Sequence, residues 1–392
     1  MNNALQTLSS LTTSEKELAY KIYWNGTISR KDLQLNSTLK IANFYNTIDK
    51  LAEKGIISIT NIEENKGKGR PPQNLTLNAD FCNILCILIT RSHFYFAVTD
   101  FSSNIIAQAK FNLSKNTTFA EFSFELSKFC INVRKKLKGD IMYCGLSSGH
   151  AIDDGVVIDG RDLHHSFLGI NINDELEKIT SLPVLQDSIA NTVSFGLYMK
   201  KYHLDIESFA FFNMSIGIGV GIINENKLLN IGKQNRPTVE HWIVNPMGRT
   251  CTCGQRGCAI TSLGTINIVE NIKSQIALGI ASSLSDKFDI LSFEDIVLAS
   301  NNGDTLAMQC FEETANTLAL TIYNFHCLFN SQKISIGGTL IRNNKVFAEF
   351  FNACLEKYQL TDIVNLEINF EKHAFEGITS EIIQSLFIHD YT

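Results

Sequence analysis

The sequence predicts an α/β body behind a small helical N-terminal module, and three observations carry that prediction. From residue 84 onward, short apolar runs of strand length alternate with helical segments of ten or more residues. Ahead of them, residues 14–54 hold three helical patterns separated by polar turns. Inside the body, three cysteines crowd into the eight residues Cys251-Thr252-Cys253-Gly254-Gln255-Arg256-Gly257-Cys258.

The N-terminal module takes up residues 1–80. Residues 14–24 predict a helix, with Ser14 and Glu17 at capping-box spacing and Leu18, Ile22 and Tyr23 on one face. Asn25-Gly26 stops it, and Ser29-Arg30-Lys31-Asp32 starts a second helix. Past the turn at Asn36-Ser37, residues 38–54 predict a third, in which Ile41, Phe44, Ile48 and Leu51 recur at helical spacing before Gly55. Two strands, 56–62 and 74–78, then flank the basic segment 63–72. Three helices followed by such a hairpin make a winged helix-turn-helix. Its exposed third helix offers Lys40, Asn43, Asn46, Thr47 and Lys50 to base edges and phosphates of double-stranded DNA, and Lys66, Lys68 and Arg70 extend the set along the wing. A helical protein-interaction module is the alternative.

Charge agrees with a DNA partner only locally. The chain of 392 residues has a net charge of −6, yet residues 1–80 carry ten Lys and Arg against eight Asp and Glu, so the acidic excess lies in the body. No basic segment followed by an apolar run opens the sequence, and apolar runs such as 84–89 are too short to span a bilayer. The expectation is a cytoplasmic protein with reduced cysteines and no membrane insertion.

Within the body, 84–89 and 95–100 predict a hairpin, 118–138 a long helix, and 141–146, 208–213, 221–223 and 333–338 further strands. The cysteine loop, spaced C-x-C-x4-C with His241 ten residues upstream, supplies the ligands of a tetrahedral zinc site, and Gly254 and Gly257 allow the tight turns it needs. The expectation is one structural zinc per chain held by His241, Cys251, Cys253 and Cys258. Ordinary buried thiols, a disulfide, or a core role for His241 are the alternatives. Cys144, Cys310, Cys327 and Cys354 sit in apolar contexts and read as core.

The chain resembles regulators of the ROK family, which groups repressors, open reading frames and sugar kinases, and within it the glucose- and N-acetylglucosamine-responsive repressors. The resemblance rests on the module ending in Gly69-Arg70-Pro71-Pro72, on Ser215-Ile216-Gly217-Ile218-Gly219-Val220-Gly221, on the loop 241–258, and on Gly337-Gly338. It implies two actin-like (ribonuclease H-like) lobes with a cleft over residues 81–392, and a homodimer or homotetramer. It also implies a transcriptional regulator, a repressor of sugar uptake or metabolism genes. A sugar or sugar phosphate, or a phosphotransfer-system protein, would modulate it at the body.

The alternative is an ATP-dependent sugar kinase, against which the sequence departs from the family pattern. Residues 89–95 replace a glycine-rich phosphate loop without a glycine. The family's aspartate falls on Ile189 in a gapless match or on Asp187 with a two-residue gap. Thr238 and Glu240 stand where the family has glutamate and glycine, and after the last cysteine Cys258-Ala259-Ile260-Thr261 stands where the family has Cys-Leu-Glu, so its glutamate is replaced. The expectation is therefore no enzyme, with Asp187, Asn191, Glu240 and His241 left as the effector-binding set.

Overall fold

The computed structural model describes residues 3–61, 73–90, 93–112, 117–149, 152–158, 167–229 and 239–388. The chain divides into two compact units. The first comprises Met1–Ser188, Phe195–Leu204 and His373–Thr392, and the second Ile189–Ser194 and Asp205–Lys372.

The first unit begins with α1 (Asn3–Ser9), α2 (Thr13–Asn25), β1 (Ile28–Ser29), α3 (Arg30–Leu35), α4 (Ile41–Glu53), β2 (Ile57–Asn61) and β3 (Gln73–Leu77). The strands form an antiparallel sheet in the order β1-β3-β2. Leu18, Ile22, Leu33, Phe44, Ile48, Leu51 and Leu75 bury completely to make a core of their own. The α2 cap differs from the expected one. Thr12 accepts from the Glu15 N–H, and Glu15 returns to the Thr12 N–H at 2.8 Å, so the box lies two residues ahead of Ser14. Glu15 also pairs with Lys54 at 2.7 Å, a long-range partner that no local pattern reveals. At α3 the Ser29 hydroxyl accepts from the Asp32 N–H at 3.0 Å, as the spacing predicts. Ile41 does not join the core: as the first residue of α4 it has no preceding turn to cover it and stays 63% exposed.

Next come β4 (Asn83–Ile89), β5 (His93–Asp100), β6 (Ile105–Asn112), α5 (Phe119–Arg134), β7 (Ile141–Ser148), the short β8 (Ile152–Asp153) and β9 (Val156–Val157), α6 (Ile172–Thr180) and β10 (Val184–Ser188). Every residue of β4 is buried, which is why it reads as a continuous apolar run rather than an alternating one. The strand order is β10-β7-β4-β5-β6, parallel through β4 and antiparallel beyond it. On one face of the sheet, Phe94, Phe96 and Phe167 share a core with Phe122 and Leu126 of α5.

After α7 (Ile189–Leu197) and a π turn at Tyr198–Tyr202, the second unit continues with β11 (Phe209–Met214), β12 (Ile218–Asn224), β13 (Lys227–Leu228), α8 (Ile260–Leu263), α9 (Thr265–Ala277), α10 (Phe293–Asn301), α11 (Thr305–Phe329), β14 (Lys333–Gly337), α12 (Lys345–Lys357) and β15 (Val364–Glu367). The last helix, α13 (Glu371–Phe387), belongs to the first unit from His373. The second sheet runs β13-β12-β11-β14-β15. Numbered within each unit, both sheets have the order 3-2-1-4-5, with strands 1 to 3 antiparallel and 1, 4 and 5 parallel. The second unit thus repeats the topology of the first.

α13 covers the other face of the first sheet. A Cβ on Gly145 of β7 would stand 2.6 Å from Ile378, so only glycine lets the helix this close. α2 also packs in this unit. Gln384 of α13 donates to the Tyr20 hydroxyl at 3.2 Å, and the Trp24 carbonyl meets the His203 Nε2 at 2.6 Å beside an edge-on ring contact. The boundary expected at residue 80 accordingly falls inside one compact unit. Cys144, Cys310 and Cys354 are buried as predicted, but Cys327 lies on the exposed side of α11. Among the described residues no helix is long and apolar enough to cross a membrane.

Candidate metal centre

The cysteine loop is held open by its own backbone. Short antiparallel bridges pair Ile243 with Cys258 and Thr250 with Arg256, and the Gly257 N–H donates to the Arg249 carbonyl at 2.9 Å. Gly254 and Gly257 sit at φ +89° and +75°, the left-handed region the turns require. A Cβ on Gly257 would lie 1.6 Å from the Asn245 carbonyl oxygen, so this position excludes any other residue on two grounds.

This scaffold gathers one ligand atom each from His241, Cys251, Cys253 and Cys258 within 4.8 Å of one another. The Cys251 sulfur lies 3.5 Å from His241 Nδ1, and the Cys253 and Cys258 sulfurs are 3.6 Å apart. A tetrahedral zinc with ordinary bond lengths needs S···N and S···S separations of about 3.6 and about 3.8 Å. A disulfide needs about 2.0 Å, so the loop has the spacing of a metal cage and not of a bond. Burial and the neighbouring sulfurs of Cys253 and Cys251 push the Cys258 thiol up, which makes a cation the natural partner for it as a thiolate. His241 Nε2 faces Glu240 Oε1 at 3.3 Å, the carboxylate–histidine arrangement that orients a ligating imidazole.

The remaining predicted residues are distributed as follows. Lys40, just ahead of α4, and Asn43, Asn46 and Lys50 on it are exposed, whereas Thr47 is half-buried and its hydroxyl donates to the Asn43 carbonyl at 2.8 Å. Lys66, Lys68 and Arg70, with the whole basic segment 63–72 and Thr238, lie outside the described residues. Asp187 is on β10 in the first unit, where its carboxylate accepts from the Ser188 N–H. Asn191, Glu240 and His241 belong to the second unit, so the effector set is divided between the two. Glu240 stands over the glycine turn, with Oε2 3.4 Å from where a Gly217 Cβ would be.

Two features escaped the sequence. Glu381 on α13 is half-buried with its Oε1 shielded from solvent, and its carboxyl is raised well above the usual range by desolvation first and by its charge contact and hydrogen bond with Asp187 second. A carboxylate set between Ile378 and the pair Ile382-Ile383 is the signal that would have found it. Ser215 joins three segments. Its carbonyl accepts from Thr265 N–H at 3.1 Å, and its hydroxyl accepts from Thr339 N–H and meets Asn213 Oδ1, both at 3.2 Å.

The glycine-rich stretch itself is not a phosphate cradle throughout. Ser215 to Gly217 make the β11–β12 turn, but Gly219 and Gly221 lie within β12. A Cβ on Gly221 would stand 2.2 Å from the Ala190 carbonyl oxygen, so these glycines serve the approach of α7 to the strand.

Two mixed sheets of one topology, with a loop of one histidine and three cysteines in the second unit, define a duplicated α/β protein with a candidate metal site. The chain belongs to the ROK family, whose model matches residues 84–376. It is 23% identical to the DNA-binding transcriptional repressor Mlc of Escherichia coli (strain K12), over 80% of this chain and 78% of that protein. A glucokinase of Halalkalibacterium halodurans is 25% identical over 59% of this chain and 71% of its own length. Among solved structures, a ROK family transcriptional regulator described as a homolog of the Escherichia coli Mlc protein superposes with a TM-score of 0.76. It is 21% identical and covers 98% of this chain and 97% of its own.

Proposed function

We infer that the protein is a cytoplasmic, DNA-binding transcriptional regulator, a repressor of sugar uptake or metabolism genes. Residues 1–80 act as its winged helix-turn-helix and 81–392 as a two-lobed sensory body. The observation that carries this is α4, a helix anchored by Phe44, Ile48 and Leu51 whose outer face presents Asn43, Asn46 and Lys50 to solvent. The N-terminal turns of such helices reach base edges in the major groove. Lys66, Lys68 and Arg70 add phosphate contacts alongside. A homodimer matches paired half-sites, and a structural zinc at His241, Cys251, Cys253 and Cys258 holds the loop.

Kinase chemistry is disfavoured by three local features. Where β4 meets β5, Thr90 and His93 bond to each other, with Thr90 N–H donating to the His93 carbonyl at 2.9 Å and His93 N–H donating to Thr90 Oγ1 at 3.1 Å. Those amides are therefore not available to phosphate. The Glu240 carboxylate beside Gly217 opposes an anion at the second turn, and α7 fills the space over Gly219 and Gly221. A sugar or sugar phosphate remains the effector class, with Asp187, Asn191, Glu240 and His241 as its contacts.

Gel shifts of the full chain on genomic fragments across a salt series test this reading. Sequence-selective binding with a steep salt slope is expected. Binding that never rises above the non-specific level, or robust ATP consumption on a panel of hexoses and amino sugars, overturns it.

A further inference from the structure

Arg30 opens α3 and is only 8% exposed. Its Nη2 donates to Asp49 Oδ1 at 2.7 Å and its Nη1 to Gln73 Oε1 at 3.0 Å, while the guanidinium lies 4.7 Å from the centre of the Tyr45 ring. The remaining nitrogen, Nε, is buried and has no hydrogen-bond partner among the described residues. Tyr45 and Asp49 are one turn apart on α4. Gln73 is the first residue of β3 and donates in turn to Asn61, the last residue of β2, at 3.2 Å. One cation therefore ties α4 to both strands of the hairpin.

Stability alone does not account for this arrangement. A buried guanidinium carries a large desolvation penalty, and an unsatisfied nitrogen adds to it, so an apolar side chain of similar volume serves a core as well or better. What the guanidinium supplies is direction, because its rigid fork reaches two acceptors on different elements while its face stacks on an aromatic ring. It also meets a charge problem. Asp49 is 59% exposed on α4, adjacent to Lys50 and three residues from Asn46, where a bare carboxylate repels phosphate.

We propose that Arg30 is a positioning residue for duplex recognition. It sets the rotation of α4 against the β2–β3 hairpin and offsets the Asp49 carboxylate, so that Asn43 and Asn46 meet base edges in register. Arg30 itself touches no base. The proposal rests on the DNA-binding reading above and concerns selectivity, whereas the basic residues supply sequence-independent affinity.

The test uses the full chain and a duplex selected from a random pool by the wild-type protein, with a scrambled duplex of equal length as reference. Arg30→Lys, Arg30→Met, Asp49→Asn and the double variant Arg30→Met/Asp49→Asn are compared by fluorescence anisotropy, with thermal melts in parallel. Each single substitution is expected to lower the selected-to-scrambled affinity ratio by about tenfold, on the scale of one lost base contact. Asp49→Asn should bind the scrambled duplex as tightly as wild type or tighter, and the double variant should lose no more than the worse single one. A folded Arg30→Met or Arg30→Lys that keeps the wild-type ratio overturns the proposal. So does an Asp49→Asn that weakens both duplexes equally. If the wild-type chain selects no duplex, the DNA-binding reading itself fails.

Discussion

Two glycines in the cysteine loop form an internally controlled pair. Both have positive φ, but an added Cβ meets open space at Gly254 and the Asn245 carbonyl oxygen at 1.6 Å at Gly257. Gly254→Ala therefore carries only the left-handed penalty, roughly 1–2 kcal/mol. Gly257→Ala carries a similar penalty plus the displacement of Asn245, roughly 1–3 kcal/mol more by comparison with overpacked sites. Because metal binding and loop folding share one free energy, that excess should appear as a roughly 5- to 150-fold difference in zinc affinity between the two variants. Competition of each variant against a chromophoric zinc chelator measures it, and circular dichroism reports whether the body stays folded. If both variants release metal at the same chelator concentration, the rigidity assigned to the Asn245–Gly257 contact is wrong.

Metal analysis of the wild-type chain should find about one zinc, and Cys251→Ala should lower both metal content and operator binding; a variant that retains both refutes the structural role of the loop. Asp295 is held down to about 2 by Lys287 first and then by Ser292, below the unfolded carboxylate value of about 3.9. Its contribution to stability is present above pH 4 and disappears as the pH falls from about 4 to about 2. Asp295→Asn should thus flatten that part of a urea-midpoint profile, and an unaltered acid limb contradicts the assignment. Lys50→Ala, on an exposed position, should weaken operator and scrambled DNA alike and reduce the salt slope by about one, with an unchanged slope excluding a phosphate contact there.

Elements whose signals are local were legible in the sequence. The Ser29 cap, the buried β4 run and the β4–β5 hairpin all follow from residues that are neighbours along the chain. The metal loop was legible for the same reason, since Cys251, Cys253 and Cys258 are covalently close and only His241 had to be recruited from a distance. Misplacements arose where a distant partner decides. The α2 box starts at Thr12 because Glu15 is also claimed by Lys54, 39 positions away. Ile41 continued the apolar period yet lies where no turn precedes it. The duplication of strand order was invisible because topology, and not residue identity, is what repeats. Arg30 and Glu381 carry no motif at all; each becomes informative only through what surrounds it.

The position of α13 in the chain has a consequence for synthesis. The strands it covers, β4 and β7, are made before residue 150, yet Ile378, Thr379 and Ile382 emerge roughly 220 residues later, some ten to fifty seconds at ordinary elongation rates. Throughout that interval the nascent chain carries an uncovered apolar face. α2, which seats against Gln384 and Ser380, gains these partners only when that helix arrives. The module that would meet DNA is thus made early and secured late, and a chain interrupted before Glu371 should be a client for chaperones rather than a regulator.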